Sequence, residues 1–203
     1  MKRCRWVNGD NELYIKYHDE EWAVPSYDDN YLFEMLLLES FQAGLSWECV
    51  LNKRESFRKA FDNFDYKKEK IKKLLSSKEI IRNRLKINAA INNAKIFMDI
   101  QKEYKTFSNY IWGFTNNKTI VNKDDNFKTT SNLSDTISKD LKKRGMKFVG
   151  STIIYSYLQA IGIINDHELE CSFYNKISWN KNNFTLVIFA NVFFVYYKYF
   201  LTY

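Results

Sequence analysis

Residues 36–47, Leu36-Leu37-Leu38-Glu39-Ser40-Phe41-Gln42-Ala43-Gly44-Leu45-Ser46-Trp47, carry the chain from the end of one helix into the start of another. An apolar run holds a single acid, Glu39. Gly44 then suits a helix C-terminus, and Ser46 suits the N-cap of the next helix. A tight helix-turn-helix therefore keeps one carboxylate close to one indole, Trp47. That pairing suits a pocket that stacks a flat ligand on the indole and hydrogen-bonds its edge with the acid. It is also the composition of an ordinary helical hairpin with a buried Trp and a satisfied Glu.

The pattern extends in both directions. Asp28 and Asp29 precede Tyr31-Leu32-Phe33 and predict a helix with an acidic first turn, running to about Phe41. Beyond Ser46, the residues Trp47, Val50, Leu51, Phe57, Ala60 and Phe61 repeat at helical spacing, with Lys53, Arg54, Arg58 and Lys59 on the other side. Asp65 is expected to cap a short helix with Ile71, Leu74 and Leu75 inward. Ser77 is expected to open a long one from Lys78 to about Lys102, whose start carries the basic cluster Arg82, Arg84 and Lys86. Phe107 to Phe114 reads as a short aromatic helix, Asn116 to Asn132 as an exposed polar loop, and Ser134 as the cap of a helix with Ile137 and Leu141 inward.

The 203 residues suffice for one domain with a real core, and 45% hydrophobic and 17% aromatic content can fill it. With one proline, Pro25, and six glycines, a helical chain is favoured over a turn-rich β-protein. Lys and Arg outnumber Asp and Glu by 31 to 24, a bias that permits a polyanionic partner without requiring one. The N-terminal stretch lacks the apolar core of a signal peptide, and the three cysteines are odd in number. A cytoplasmic protein whose cysteines are metal ligands or core thiols is expected, not a disulfide framework.

Two further clusters carry chemistry. Arg144-Gly145-Met146-Lys147-Phe148-Val149-Gly150-Ser151-Thr152 sets two glycines around a short loop between helices, the second helix running from Ser151 to about Ile161 and ending at Gly162. This is the shape of a helix-hairpin-helix. Amides near Gly150 would face a phosphate at a helix N-terminus, with Lys147 adding a point charge. Then His167 and Cys171 stand four apart, one face of a helix. Cys4 and His18 complete a set of two thiols and two imidazoles, a closed tetrahedral arrangement suited to a structural zinc. The alternative is two buried thiols and two unrelated histidines.

These stretches together resemble the DNA-3-methyladenine glycosylase I family of the helix-hairpin-helix superfamily. The likeness runs from about Lys2 to Tyr174 through RCRWV, LYIKYHDEEWAVP, LFEMLLLESFQAGLSWECVLNKRESFRKAF, IIRNRLKINAAINNAK and LKKRGMKFVGSTIIYSYLQAIGIINDHELEC. The resemblance implies an all-α helix-hairpin-helix glycosylase fold. It implies a monomer that acts on double-stranded alkylated DNA with no obligate protein partner, excising 3-methyladenine without a lyase step. It places Glu39 on the acid that recognises the methylated base, Trp47 on the aromatic that stacks on it, and Tyr17 on a hydrogen-bonding pocket residue. Tyr14, Trp6 and Trp22 fall on the pocket wall, and Cys4, His18, His167 and Cys171 on the zinc ligands. DNA would be held through its backbone by Gly145, Lys147 and Gly150, with Arg82, Arg84 and Lys86 as a second choice. The family is understood to lack the catalytic aspartate of its relatives. Asp166, beside His167, is therefore expected to cap a helix or support the zinc ligands from behind.

Residues 1–175 are thus expected to form one helical domain, followed by an atypical hydrophobic tail at 176–203. The stretch from Phe184 to Tyr203 is marginal in length for a membrane span and is interrupted by Asn191 and Lys198; a frame-shifted end without function, or a poorly ordered segment, is expected in preference to an extra packed segment or a weak tail anchor. Within the domain, Ala23 and Leu85 stand where the family usually has glycine. The rival reading is a zinc-stapled module that binds DNA without cutting glycosidic bonds. The presence of Glu39, Trp47 and Tyr17 together argues against it, because phosphate binding needs none of them.

Overall fold

The computed structural model describes residues 1–61, 74, 77–124, 126 and 128–175. Among them, helix α1 covers Glu12–Glu20, α2 Asp29–Gln42, α3 Trp47–Leu51, α4 Arg54–Ala60, α5 Arg84–Tyr104 and α6 Phe107–Gly113. Strand β1 (Ile120–Val121), α7 (Asn132–Lys143), α8 (Ser151–Ala160) and β2 (Ile164–Asn165) follow. The chain is mostly helical, as expected. The helix expected after Asp65 and the tail lie outside the described residues, apart from Leu74, which is buried.

Helix α2 is the axis of the core. Every residue from Leu32 to Phe41 is buried, because α3, α5, α6 and α8 pack around it. A helix apolar on all sides can exist only in the interior. Its two interior acids, Glu34 and Glu39, are therefore the exceptions that need explaining. Asp28 caps it through the amides of Asn30 and Tyr31, and Asp29 reaches across to the amides of Phe107 and Ser108, fixing α6 against its start. The helix stops at Gln42, and Gly44 turns the chain with φ +78°. Ser46 then caps α3 through the amide of Cys49.

Four boundaries differ from the sequence reading. Residues 12–20 form α1, capped by Asn11. The helix expected from Ser46 to Phe61 is broken at Asn52–Lys53 into α3 and α4, which frees Arg54 to turn inward, where it is buried. The long helix starts after Asn83, whose side chain accepts from Leu85 and Lys86 N–H, instead of after Ser77. Helix α7 is capped by Ser131, with Ser134 returning the bond as its third residue.

The expected loop at 116–132 also contains structure. Strands β1 and β2 pair in parallel, Ile120 with Ile164 and Val121 with Asn165. Ahead of β2, Gly162 has φ +78°, and an added Cβ would lie 2.3 Å from the backbone of Pro25. Only glycine fits there, and it lets the 23–26 segment lie against the end of α8, where Ala23 N–H donates to Gln159 O and Ser26 N–H to Ile161 O. No helix among the described residues is long and apolar enough to cross a membrane.

Candidate active site

The elements around α2 leave a cavity of about 210 Å³. The residues expected to form a pocket, Glu39, Trp47, Tyr17, Tyr14, Trp6 and Trp22, all line it. Helix α1 supplies Tyr14 and Tyr17, α2 supplies Glu39, and the turn after Gly44 delivers Trp47 at the start of α3. The Tyr17 and Trp47 rings lie 5.1 Å apart, tilted by 49°. Trp6 packs edge-on against Tyr14 at 5.3 Å and Trp22 at 4.9 Å.

Besides His167 Nε2, three buried polar atoms on this wall have no hydrogen-bond partner: Glu39 Oε2, Trp47 Nε1 and Asp166 Oδ1. Buried polar groups are normally satisfied, so convergence of three orphans on one cavity marks a place built to receive a polar ligand. Glu39 is 3% exposed, and burial pushes its pKa up to about 8, so the resting carboxyl is neutral at pH 7. Burial also raises the pKa of Tyr17, and the nearby Glu39 adds to it.

The turn carrying Gln42 and Leu45 is clamped from outside. Lys86 donates to the carbonyls of Phe41 at 2.8 Å and Ala43 at 2.5 Å, covering the negative end of α2. Lys86 is thus buried and turned inward. The basic cluster expected at Arg82, Arg84 and Lys86 keeps only its two arginines exposed.

Cys4, His18, His167 and Cys171 converge in a second, buried cluster, with ligand atoms all within 4.8 Å of one another. His167 Nδ1 lies 3.4 Å from the sulfurs of both Cys4 and Cys171, and His18 Nε2 lies 3.6 Å from Cys171 Sγ. A tetrahedral ion with bonds of about 2.0–2.3 Å needs ligand–ligand edges of about 3.3–3.8 Å, so the four residues fit a metal ion. Burial lowers the pKa of His18, and burial with His18 nearby lowers that of His167 to about 3, leaving both imidazoles neutral as ligands must be. His167 and Cys171 do not share a helix as expected; a turn closed by Cys171 N–H to Glu168 O brings them together. The N-terminus is pinned alongside, with Ser172 N–H donating to Lys2 O.

The carboxylate behind the cluster is Asp19. Its Oδ1 lies 2.8 Å from His18 Nδ1, and Arg3 holds it from the other side. Asp166 plays neither role foreseen for it. It lines the cavity, and its Oδ2 accepts from Tyr155 Oη at 2.6 Å and Gln159 Nε2 at 2.7 Å. Sequence reasoning missed Gln159 as well, although Tyr155 and Gln159 stand four apart on α8 and so share a face. The cavity rim also takes Asn122, Asp124, Asn126 and Lys128 from the segment read as plain loop.

Gly145, Lys147 and Gly150 lie in the turn between α7 and α8, away from the cavity lining. The amides of Gly145 and Met146 donate to Lys142 O and Leu141 O, and that of Lys147 to Asn93 Oδ1. The Lys147 side chain is exposed, and Gly150 opens α8 as its N-cap.

A model of the methyladenine glycosylase family matches residues 6–175. DNA-3-methyladenine glycosylase 1 of Escherichia coli K12 is 44% identical over 183 residues, covering 86% of this chain and 97% of that protein. A crystal structure of a 3-methyladenine DNA glycosylase I superposes with a TM-score of 0.80 at 42% identity, covering 84% of this chain and 98% of the other. A variant of such an enzyme in complex with 3-methyladenine gives a TM-score of 0.80 at 31% identity, covering 85% of this chain and 97% of the other.

Proposed function

The chain belongs to the methyladenine glycosylase family, and from that premise we propose that it excises 3-methyladenine from alkylated double-stranded DNA. It does so by hydrolysing the N-glycosidic bond, and it leaves an abasic site without a lyase step. The observation that supports this most is Glu39: a deeply buried carboxyl with one oxygen that has no partner, beside Trp47 and Tyr17 on one cavity wall.

A purine methylated at N3 carries positive charge, so its glycosidic bond is weakened and the base leaves without being protonated. The enzyme's work is recognition. The nucleotide flips out of the duplex at a cost of a few kcal/mol, least for a damaged base. The indole of Trp47 then meets the cationic ring by cation–π attraction, and Glu39 meets its edge. A cation entering the cavity supplies the charge that Glu39 lacks at rest, so binding draws the carboxyl into its ionised form. Neutral adenine brings no such charge, and this favours the methylated base. Tyr17 hydrogen-bonds in the pocket, while Tyr14, Trp6 and Trp22 wall it.

Cys4, His18, His167 and Cys171 would hold a structural zinc. A closed four-ligand set leaves no open position for chemistry, and the ion's part is to tie the N-terminal segment to residues 167–171. The α7–turn–α8 unit would serve as a helix-hairpin-helix, in which the Gly150 amide and the Lys147 ammonium hold the DNA backbone and Gly145 shapes the turn. Residues 1–175 make up this catalytic unit, which acts as a monomer in the cytoplasm.

The test is release of free 3-methyladenine from methylated duplex DNA. Wild type is expected to release it, and Glu39→Gln and Trp47→Ala to lose release while still binding duplex. Folded wild type that binds duplex but frees no base would overturn the enzyme reading in favour of a DNA-binding module.

A further inference from the structure

Lys86 stands where a lysine is unfavourable on two counts. It is the third residue of α5, whose N-terminus Asn83 caps through the amides of Leu85 and Lys86. The first turn of a helix is its positive end, and this position commonly carries Glu or Gln. The side chain is also buried, and burial lowers the pKa of its ammonium. A lysine set against its own helix and out of water is held there by what it touches. Its Nζ donates to Phe41 O at 2.8 Å and Ala43 O at 2.5 Å, at the negative end of α2. Phe41 O lacks its helical partner, because Leu45 N–H donates to Gln42 O instead. Gly44, Leu45 and Ser46 are exposed, so packing does little to fix the turn. Among the described residues, the two bonds from Lys86 are the only hydrogen bonds that reach residues 41–46 from outside the hairpin of α2 and α3.

We propose that Lys86 is a positioning residue for base recognition, its ammonium holding the end of α2 so that the indole of Trp47 stacks on a ring whose edge meets Glu39. This rests on the excision reading above. Glu39 is fixed within α2, two residues before the first clamped carbonyl, whereas Trp47 follows the exposed turn, four residues after the second. The spacing of acid and indole is therefore set by the shape of the turn, and Lys86 ties that shape to the long helix α5. Without the ammonium, the two carbonyls turn to water and the turn is free to swing, carrying the indole off the base. Recognition tolerates little of this, since a misplacement of about 1 Å can cost on the order of 100-fold. Lys86 itself touches neither base nor DNA, and its effect passes through Trp47.

The test is a double-mutant cycle of Lys86→Met and Trp47→Ala, read by calorimetry as affinity for free 3-methyladenine. Methionine keeps most of the apolar stem of lysine and removes the ammonium. Lys86→Met alone is expected to weaken binding at least ~10-fold and to slow single-turnover excision by a similar factor. In the Trp47→Ala background the same change is expected to alter affinity by less than about twofold, because the ring it positions is gone. Losses that simply add in the double variant overturn the assignment, since a general defect of the scaffold is indifferent to Trp47. Binding by Lys86→Met at the wild-type level overturns it as well. If Lys86→Met does not fold, Lys86→Gln, uncharged and shorter, takes its place in the cycle with the same outcomes. Wild type that neither binds 3-methyladenine nor frees it from DNA would instead overturn the excision reading itself, and this assignment with it.

Discussion

Helix α2 carries two buried acids five residues apart, about 140° around its axis, and they have opposite surroundings. Glu34 accepts from Arg54 at 2.8 and 3.0 Å and from Arg58 at 2.6 and 3.0 Å, and Arg54 is shared with Glu21. Glu39 has an oxygen with no partner. Burial alone would raise both; the two guanidiniums hold Glu34 below the usual carboxylate range, while burial takes Glu39 up to about 8. The comparison separates two uses of a charge inside a protein. Glu34 is complete without a ligand and belongs to the architecture. Glu39 is left incomplete, which costs stability and marks it for a partner that is absent at rest.

The largest expected effect tests the architectural half. Glu34→Gln leaves Arg54 with Glu21 and Arg58 with Glu55 as their remaining carboxylates, and removing one partner of a buried pair costs up to about 3–5 kcal/mol. Urea unfolding should show this loss, while excision by the folded fraction stays near wild type. A loss of excision without a loss of stability would erase the distinction between the two acids.

The next test concerns Glu39 and has two readouts. Glu39→Gln is expected to lower excision about 100-fold, on the order of 2.7 kcal/mol. Its stability should move the other way. A folded-state pKa near 8 lies above the ordinary 4.5, so the unfolded chain is the one that ionises as pH rises between them. Wild-type stability from this group therefore declines from pH 4.5 to 8, by an amount on the order of a few kcal/mol, and levels off above. Glu39→Gln should flatten that decline. Glu34 behaves conversely: its depressed pKa contributes stability present above the ordinary value and lost as pH falls through the folded one. Melting curves from pH 3 to 9 on wild type and the two Gln variants separate these limbs.

Smaller effects sharpen the picture. Trp47→Ala should weaken binding of free 3-methyladenine by about 1–3 kcal/mol, the usual worth of base–aromatic stacking, as read by calorimetry. Ala23 is fully buried at φ +62°, a left-handed conformation costing about 1–2 kcal/mol for a residue with a Cβ. Ala23→Gly relieves this but loosens the unfolded chain, leaving a net gain of no more than about 1 kcal/mol. An unchanged melting temperature would show that the surroundings have already absorbed the strain.

Much of the site could be read before the fold was known, for physical reasons. Cys4, His18, His167 and Cys171 are legible because histidine and cysteine are scarce here and few other arrangements use them all. Glu39 and Trp47 are legible because the turn between them is local. Asp166 was misread because its place in the cavity depends on Tyr155 and Gln159, which the chain brings back only through Gly162 and β2. Lys86 was misread because a lysine that covers a helix end has the same sequence signature as one that faces DNA. The break between α3 and α4 was hidden for a similar reason. Apolar spacing continues across Asn52 and Lys53, and only the burial of Arg54 between Glu21 and Glu34 shows why the helix must interrupt.

The cavity's walls come from both ends of the domain: Trp6, Tyr14 and Tyr17 from the first 20 residues, and Gln159, Asp166 and His167 from near the close of the described chain. On the ribosome, Glu39 and Trp47 are synthesised long before the residues that enclose them. A chain arrested before residue 159 would hold the acid and the indole without a chamber, and the Cys/His cluster without its second half. Copies arrested before that point lack the far wall of the cavity, and a chain of this family is expected to act on a base only once its own synthesis has passed that wall.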